Sequence, residues 1–446
     1  MNARIVHFGL GAFHRAHQAV YTADAGGDWG IAAVAPRSRS IVDAMRAQDC
    51  RYPVTDLAPG RPTRVIGSIV EALHMVDDAS RVTDLLASPA VTVVTLTITE
   101  KGHYRRAGDG GLDVEAPEVA ADLAATGTFR TVVGALAQGL VERFRWSGAP
   151  ITVVSCDNMA ANGHAVRRVV RDFVEASSWD DRARILDWMD SSVAFPNTVV
   201  DRIVPATEGG DKVPVFGEPY REWVIEDAFA ADRPPWERAG AVVVPDVAPY
   251  QLRKLRLLNG SHSAMAYLGA AAGCETVADV LATDWGEKVV RGFCAEVAET
   301  LPGDQSSYVD DLVVRFANPM MRHLLRQIGS DGSLKIAERW FGPLREIPAR
   351  ATPLLDLALA GWVNATRPPE TGNDNGGQRF GMTDPAAERL AACWHNGPAV
   401  VTGTGGAAVV ARLLRVAGAP DLAERADLVE AVAGHLPALA AGRIQF

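Results

Sequence analysis

Short blocks of apolar, β-branched residues punctuate the first half of the chain. Arg4 to Gly9, Gly30 to Ala35, Thr92 to Ile98, Ile151 to Ser155 and Ala241 to Val247 are each too short for a buried helix and read as strands. Between them apolar positions recur at helical spacing, as in His14 to Ala25, Thr131 to Arg145 and His164 to Ala176. Alternating strands and helices predict a parallel, doubly wound sheet. After Pro249 strand-like runs become scarce. Gln251 to Ala272 reads as one long helix. Further helical patterns follow at Val277 to Thr300, Tyr308 to Ile328, Leu354 to Thr366, Pro385 to Trp394, Ala407 to Ala417 and Asp421 to Ala441. Polar loops fall at Pro302 to Ser307 and Arg367 to Gln378.

The first strand runs into Gly9-Leu10-Gly11-Ala12-Phe13-His14. Two glycines permit a tight turn and a close approach to a pyrophosphate, as in dinucleotide-binding folds; the third glycine of that fingerprint is replaced by His14. The expected fold is therefore α/β, with an N-terminal Rossmann-type doubly wound sheet over residues 1–246 and a C-terminal, mainly α-helical domain over 247–446. The acid that usually meets an adenine ribose after the second strand is missing. Pro36-Arg37-Ser38-Arg39-Ser40 stands there, and Arg39 is suited to a 2′-phosphate. NAD(H) and NADP(H) both remain open.

A chain of 446 residues exceeds one compact core, which supports two domains. The formal net charge of −10 argues against nucleic acid and membrane surfaces as partners. No apolar run is long enough to span a bilayer, and the start of the chain has no signal-peptide pattern. Five scattered cysteines without a CxxC pair fit a reducing cytoplasm. With no HExxH and no His/Cys cluster, no metal site is expected.

Of the 44 basic residues only five are lysines, and Lys254 stands among arginines in Arg253-Lys254-Leu255-Arg256-Leu257-Leu258-Asn259-Gly260-Ser261-His262. On an α-helix Lys254, Asn259 and His262 fall within an arc of roughly 140°. A lysine can lose its proton where an arginine cannot, so a desolvated Lys254 suits the removal of a hydroxyl proton. Asparagine amides can donate to the developing oxyanion. Asn158, at the C-terminal end of the strand Ile151 to Ser155, lies at the edge where such sheets bind ligands. An exposed lysine, a helix kink at Asn259-Gly260 and an Asx turn at Asn158 are the bland alternatives. Two other functions stay open: a lysine Schiff-base enzyme and a non-catalytic nucleotide-binding protein.

Nearly the whole chain resembles the mannitol dehydrogenase family of long-chain polyol dehydrogenases. The segments that carry the likeness include Arg4 to Gln18, Leu96 to Gly102, Ser155 to Asn158, Val200 to Ile203, Lys254 to His262 and Ser330 to Ser333. The resemblance implies metal-independent hydride transfer between NAD(P)(H), with NAD(H) the default and NADP(H) the alternative, and a secondary alcohol or ketone of an open-chain sugar derivative, such as D-mannonate/D-fructuronate or D-mannitol/D-fructose. It implies Lys254 as general base, Asn158 and Asn259 on the reacting oxygen, and His262 and Asp201 on substrate hydroxyls. Cofactor contacts are expected from Gly9, Gly11, Ala12, Phe13, His14, Arg15, Arg39, Thr97 and Glu100, and a sugar carboxylate would need a cation such as Arg326 or Arg322. A monomer or weak homo-oligomer is expected. Four residues depart from the family: Gln251 replaces a glutamate three residues before the lysine, Arg39 and Ser40 stand where many members carry an acid, and Gln327 replaces an arginine, as in uronate-reducing members.

Overall fold

The structure is a computed structural model and describes residues 1–125, 127–205, 213–348, 351–368, 379–394 and 404–446. It divides into two compact units, Met1–Ala248 and Pro249–Phe446.

The first unit is built on six strands: β1 (Ala3–Phe8), β2 (Gly30–Ala35), β3 (Ile69–His74), β4 (Val93–Leu96), β5 (Ile151–Ser155) and β6 (Val193–Ala194). Their spatial order is β3-β2-β1-β4-β5-β6, with every pairing parallel. Helices cover both faces, which is why the strands read as largely apolar runs. Val6 and Phe8 of β1 belong to one core with Leu85, Leu136 and Val169; Ile5 faces the opposite core with Tyr21 and Trp223. The order of the strands reverses direction at β1, so the crevice beyond β1 and β4 is where a doubly wound sheet takes its ligand.

Two elements differ from expectation. The helix read over His14 to Ala25 starts earlier and is broken into α1 (Ala12–Ala16) and α2 (Gln18–Ala25), with His17 at φ −121°, ψ −86° between them. The break is held from outside: the Tyr52 hydroxyl donates to the carbonyl of Arg15 at 2.8 Å, and Arg202 donates to that of Ala16. The run Ala241 to Val247 contributes only Val242–Val244, and to a different, three-stranded sheet with Glu222–Glu226 and Thr198–Asp201. A second small sheet joins Tyr52–Asp56, Thr63–Ile66 and Val215–Gly217.

The second unit is helical among its described residues. Gly260–Ala271 lies at its centre and packs against Pro353–Ala365, whose residues from Leu354 to Ala365 are all buried. A helix that is buried all round shows no polar face, which explains its largely apolar sequence, broken only by Asp356 and Asn364. Tyr308 to Ile328 is not one helix. Ser306–Phe316 ends before Pro319, Arg322 adopts a left-handed conformation at φ 40°, and a short helix resumes at Leu325–Gly329. Most of the loop expected from Arg367 to Gln378 lies outside the described residues. Among the described residues no helix is long and apolar enough to cross a membrane, and no group of three or more His, Cys, Asp or Glu could hold a metal ion.

Candidate active site

In the first unit the site begins at the turn after β1. The Gly9 amide donates to the carbonyl of Val34 at 2.9 Å, and Gly9 takes φ +114°. A Cβ there would stand 2.1 Å from the Thr97 carbonyl oxygen, so glycine is required by both conformation and contact. Gly11 is different: a Cβ would meet nothing within 4 Å. Its backbone borders open space, which is what a pyrophosphate needs in order to approach the chain.

The side chains around this turn fix its shape. His7 lies between the Thr95 hydroxyl at 2.6 Å, the Thr97 hydroxyl at 2.9 Å and the Gly9 carbonyl at 3.0 Å. His14 stacks on it with ring centroids 3.4 Å apart. Burial lowers the pKa of His7 to about 3, and burial, with His7 next to it, holds His14 well below the ordinary histidine value. Both rings are therefore neutral packing elements at physiological pH. Arg15 is buried as well and donates to the carbonyls of Val213 and Gly11. Thus His14 and Arg15 are placed to brace the loop, while Ala12 and Phe13 stay partly exposed on it. Thr97 donates to the Gly9 carbonyl at 3.1 Å, so β4 and the glycine turn are locked together. Glu100 is exposed, at the start of a short turn of 3-10 helix.

Asn158 sits just past β5 and is exposed. Its buried neighbour Asp157 organises the surroundings. One Asp157 carboxylate oxygen accepts from the amides of Ile98 and Thr99, both at 2.8 Å, and the other meets His103 Nε2 at 2.8 Å. The loop after β4 is thereby pinned to the end of β5. Sequence reasoning missed this role for Asp157 and His103; the signal was an acid next to the asparagine at a strand end. Asp201 is 5% exposed and ends the strand Thr198–Asp201, which is tied to β5 by the Thr198 hydroxyl donating to the Ser155 carbonyl at 2.6 Å.

In the second unit Lys254 to Asn259 is not α-helical. It is a π turn inserted between Ala248–Arg253 and Gly260–Ala271. The expected 140° arc is corrected accordingly. With i→i+5 bonding, Asn259 falls one turn from Lys254 on nearly the same face. Donors from a distant helix meet the end of this turn. Arg339 Nη1 donates to the Asn259 carbonyl at 3.1 Å and the Ser263 hydroxyl at 2.7 Å, and Trp340 Nε1 donates to the Gly260 carbonyl at 3.2 Å. Arg256, beside Lys254 in sequence, turns away to Glu346 at 2.6 and 2.8 Å.

His262 is 9% exposed, against the ring of Phe316 at 4.5 Å and that of His323 at 5.6 Å. Burial, then the nearby His323, Arg315 and Arg339, hold its pKa well below the ordinary value, so it is neutral. Its Nε2 is buried with no hydrogen-bond partner, which leaves a donor or acceptor for a ligand. Arg326 and Arg322 are both exposed. Arg339, not singled out from the sequence, donates to the last carbonyl of the π turn.

A dinucleotide-type sheet with an open glycine turn, followed by a helical unit that opens on the Lys254–Asn259 π turn, is the architecture of a two-unit dehydrogenase. Residues 3–238 match the mannitol dehydrogenase Rossmann domain and residues 246–440 the mannitol dehydrogenase C-terminal domain. The chain belongs to the mannitol dehydrogenase family. It is 36% identical to D-mannonate oxidoreductase of Escherichia coli K12, over 97% of this chain and 92% of that one. To mannitol 2-dehydrogenase of Pyrenophora tritici-repentis it is 37% identical, over 88% and 74% of the two chains. Among solved structures, mannitol 2-dehydrogenase of Pseudomonas fluorescens, in a ternary complex with NAD and D-mannitol, superposes with a TM-score of 0.74 at 32% identity, covering 98% of this chain and 94% of that one.

Proposed function

We propose that this chain is a metal-independent, NAD(H)-dependent dehydrogenase that interconverts a secondary alcohol and a ketone on an open-chain sugar acid or polyol in the cytoplasm. D-mannonate/D-fructuronate and D-mannitol/D-fructose are the two substrate types. The observation that carries the reading is the π turn, which stacks Asn259 one turn from Lys254 with neutral His262 beyond it. Membership of the family and the relatives' printed activities support it.

The open face of Gly11, where a Cβ would meet nothing within 4 Å, fits a dinucleotide on the first unit, held by the turn Gly9 to Arg15 and by Thr97. When bound, the nicotinamide accepts or returns the hydride. Lys254 takes the hydroxyl proton. Asn158 and Asn259 donate to the reacting oxygen as its charge develops. His262 offers its free ring nitrogen, and Asp201 a carboxylate, to further substrate hydroxyls. Arg326 is the cation proposed for a substrate carboxylate; with Gln327 beside it, the acid pair is the preferred substrate.

The test is Lys254→Arg, followed at the nicotinamide absorbance band with mannonate and mannitol, in the presence of a chelator. Turnover should fall at least ~10²-fold, the low end of a general base's contribution, because guanidinium cannot accept the proton. Binding of NADH, read by fluorescence, should stay. An arginine variant with near-normal turnover would show that Lys254 supplies charge and not a base. Wild-type activity abolished by chelation and restored by zinc would overturn the metal-free reading.

A further inference from the structure

The turn after β2 carries no acid in sequence, yet the fold brings one to it. β3 pairs with β2 in parallel, so both strands end at the same edge of the sheet. The segment leaving β3 reads Met75-Val76-Asp77-Asp78. Arg39 opens the helix α3 (Arg39–Arg46), which is capped by the Ser38 hydroxyl accepting from the Ile41 amide at 3.3 Å. From there Arg39 grips Asp77 with two prongs, Nε to one carboxylate oxygen and Nη2 to the other at 2.7 Å. The acidic turn is itself held in place. The Asp77 amide donates to His74 Nδ1 at 3.2 Å, and the carboxylate of Asp78 accepts from the His74 amide and from Arg46, each at 2.7 Å. Arg39 and Asp77 are 65% and 44% exposed, so a ligand can reach both, and Arg37 is exposed two residues earlier.

In a doubly wound sheet the groups beyond the second strand face the ribose 2′ position of the adenosine half. An acid there favours a free hydroxyl and an arginine favours a phosphate. This chain presents both, bound to each other. An exposed ion pair is weak, so its own strength does not lock Arg39. The carboxylate acts by charge: a 2′-phosphate that reached for Arg39 would have to displace Asp77 and then sit beside it. We propose that Asp77 is the residue that selects the dinucleotide, favouring NAD(H), and that Arg39 serves as a 2′-phosphate ligand only when the charge of Asp77 is removed. This rests on the reading of the first unit as a dinucleotide site.

The experiment is fluorescence titration of the full-length protein with NADH and with NADPH, in wild type, Asp77→Asn, Arg39→Ala and the double variant. Wild type should bind NADH more tightly. Asp77→Asn should shift the ratio of the two dissociation constants towards NADPH by about tenfold or more, the scale of one close charge contact. Arg39→Ala alone should gain no NADPH affinity, and the double variant should lose what Asp77→Asn gained. An unchanged ratio in Asp77→Asn would overturn the proposal, as would a gain that survives the removal of Arg39. Wild type that binds neither dinucleotide would instead bring down the underlying reading, and this proposal with it. Unchanged melting temperatures across the four proteins would exclude misfolding as the cause of any shift.

Discussion

Asp356 gives the sharpest quantitative test of the second unit. It lies in the first turn of Pro353–Ala365, the helix that backs Gly260–Ala271, and is 4% exposed. Burial raises its pKa from 3.8 to about 6, against the opposing pull of the Thr352 hydroxyl, which donates to it at 3.1 Å, and of Arg425; Asp427 pushes the same way as burial. A carboxyl whose folded pKa lies above its unfolded value stabilises the fold in its protonated form. That contribution is complete below pH 3.8 and is lost as the pH rises through 6. The full span is about 3 kcal/mol, at 1.36 kcal/mol per unit, and the part lost between pH 5 and pH 8 is about 1.4 kcal/mol. Asp356→Asn does not titrate. Its amide has its own cost in a buried site, but that cost is the same at every pH. Urea unfolding of both proteins at pH 5 and pH 8 should therefore show the stability difference moving in favour of asparagine by about 1–1.5 kcal/mol over that interval. Glu296, whose pKa is also raised by burial and by Asp356 nearby, will shift slightly in the variant and trim the figure. A difference that stays constant with pH, or moves in favour of the wild type, would show that Asp356 is ionised in the fold at no cost.

Substitutions at Gly9, Gly11 and Arg339 separate the architecture of the site from its chemistry. Gly9→Ala should fail to give a stable protein, since its Cβ would stand 2.1 Å from the Thr97 carbonyl at φ +114°, whereas Gly11→Ala should melt like wild type and bind NADH at least about tenfold more weakly; normal NADH affinity in Gly11→Ala would refute the assignment of the open face. Arg339→Gln should loosen the π turn by stripping the donor from the Asn259 carbonyl and the Ser263 hydroxyl, at a cost of about 2–3 kcal/mol, with faster hydrogen exchange confined to residues 254–263, and Arg339→Lys should recover part of it. Exchange that rises uniformly across the second unit would mean that Arg339 holds the fold and not the turn.

Much of this protein could be read from local pattern. The strands β1, β2, β4 and β5 announce themselves because a strand buried on both faces is apolar at most of its positions. Gly9 marks a turn that other residues cannot adopt, and Gly11 leaves open space beside it. The lysine among arginines drew attention to Lys254, because only one of the two cations can serve as a base. Each of these signals is carried by residues within a few positions of one another, so no knowledge of the chain's path is needed to see it.

What escaped was decided by partners far away in sequence. His17 interrupts a helix because Tyr52 and Arg202 take the carbonyls of Arg15 and Ala16, a bond no local periodicity reveals. Lys254 to Asn259 is a π turn rather than an α-helix, with Arg339 and Trp340, about 80 positions on, meeting the carbonyls at its end. Read as an α-helix, the spacing in sequence alone therefore placed the lysine and the asparagine at the wrong angle. The acid missing after β2 arrives as Asp77 because β3 lies beside β2. In each case a backbone or charged group left unsatisfied by its neighbours in sequence is satisfied across the fold, and only the tertiary structure determines which distant side chain is there to do it.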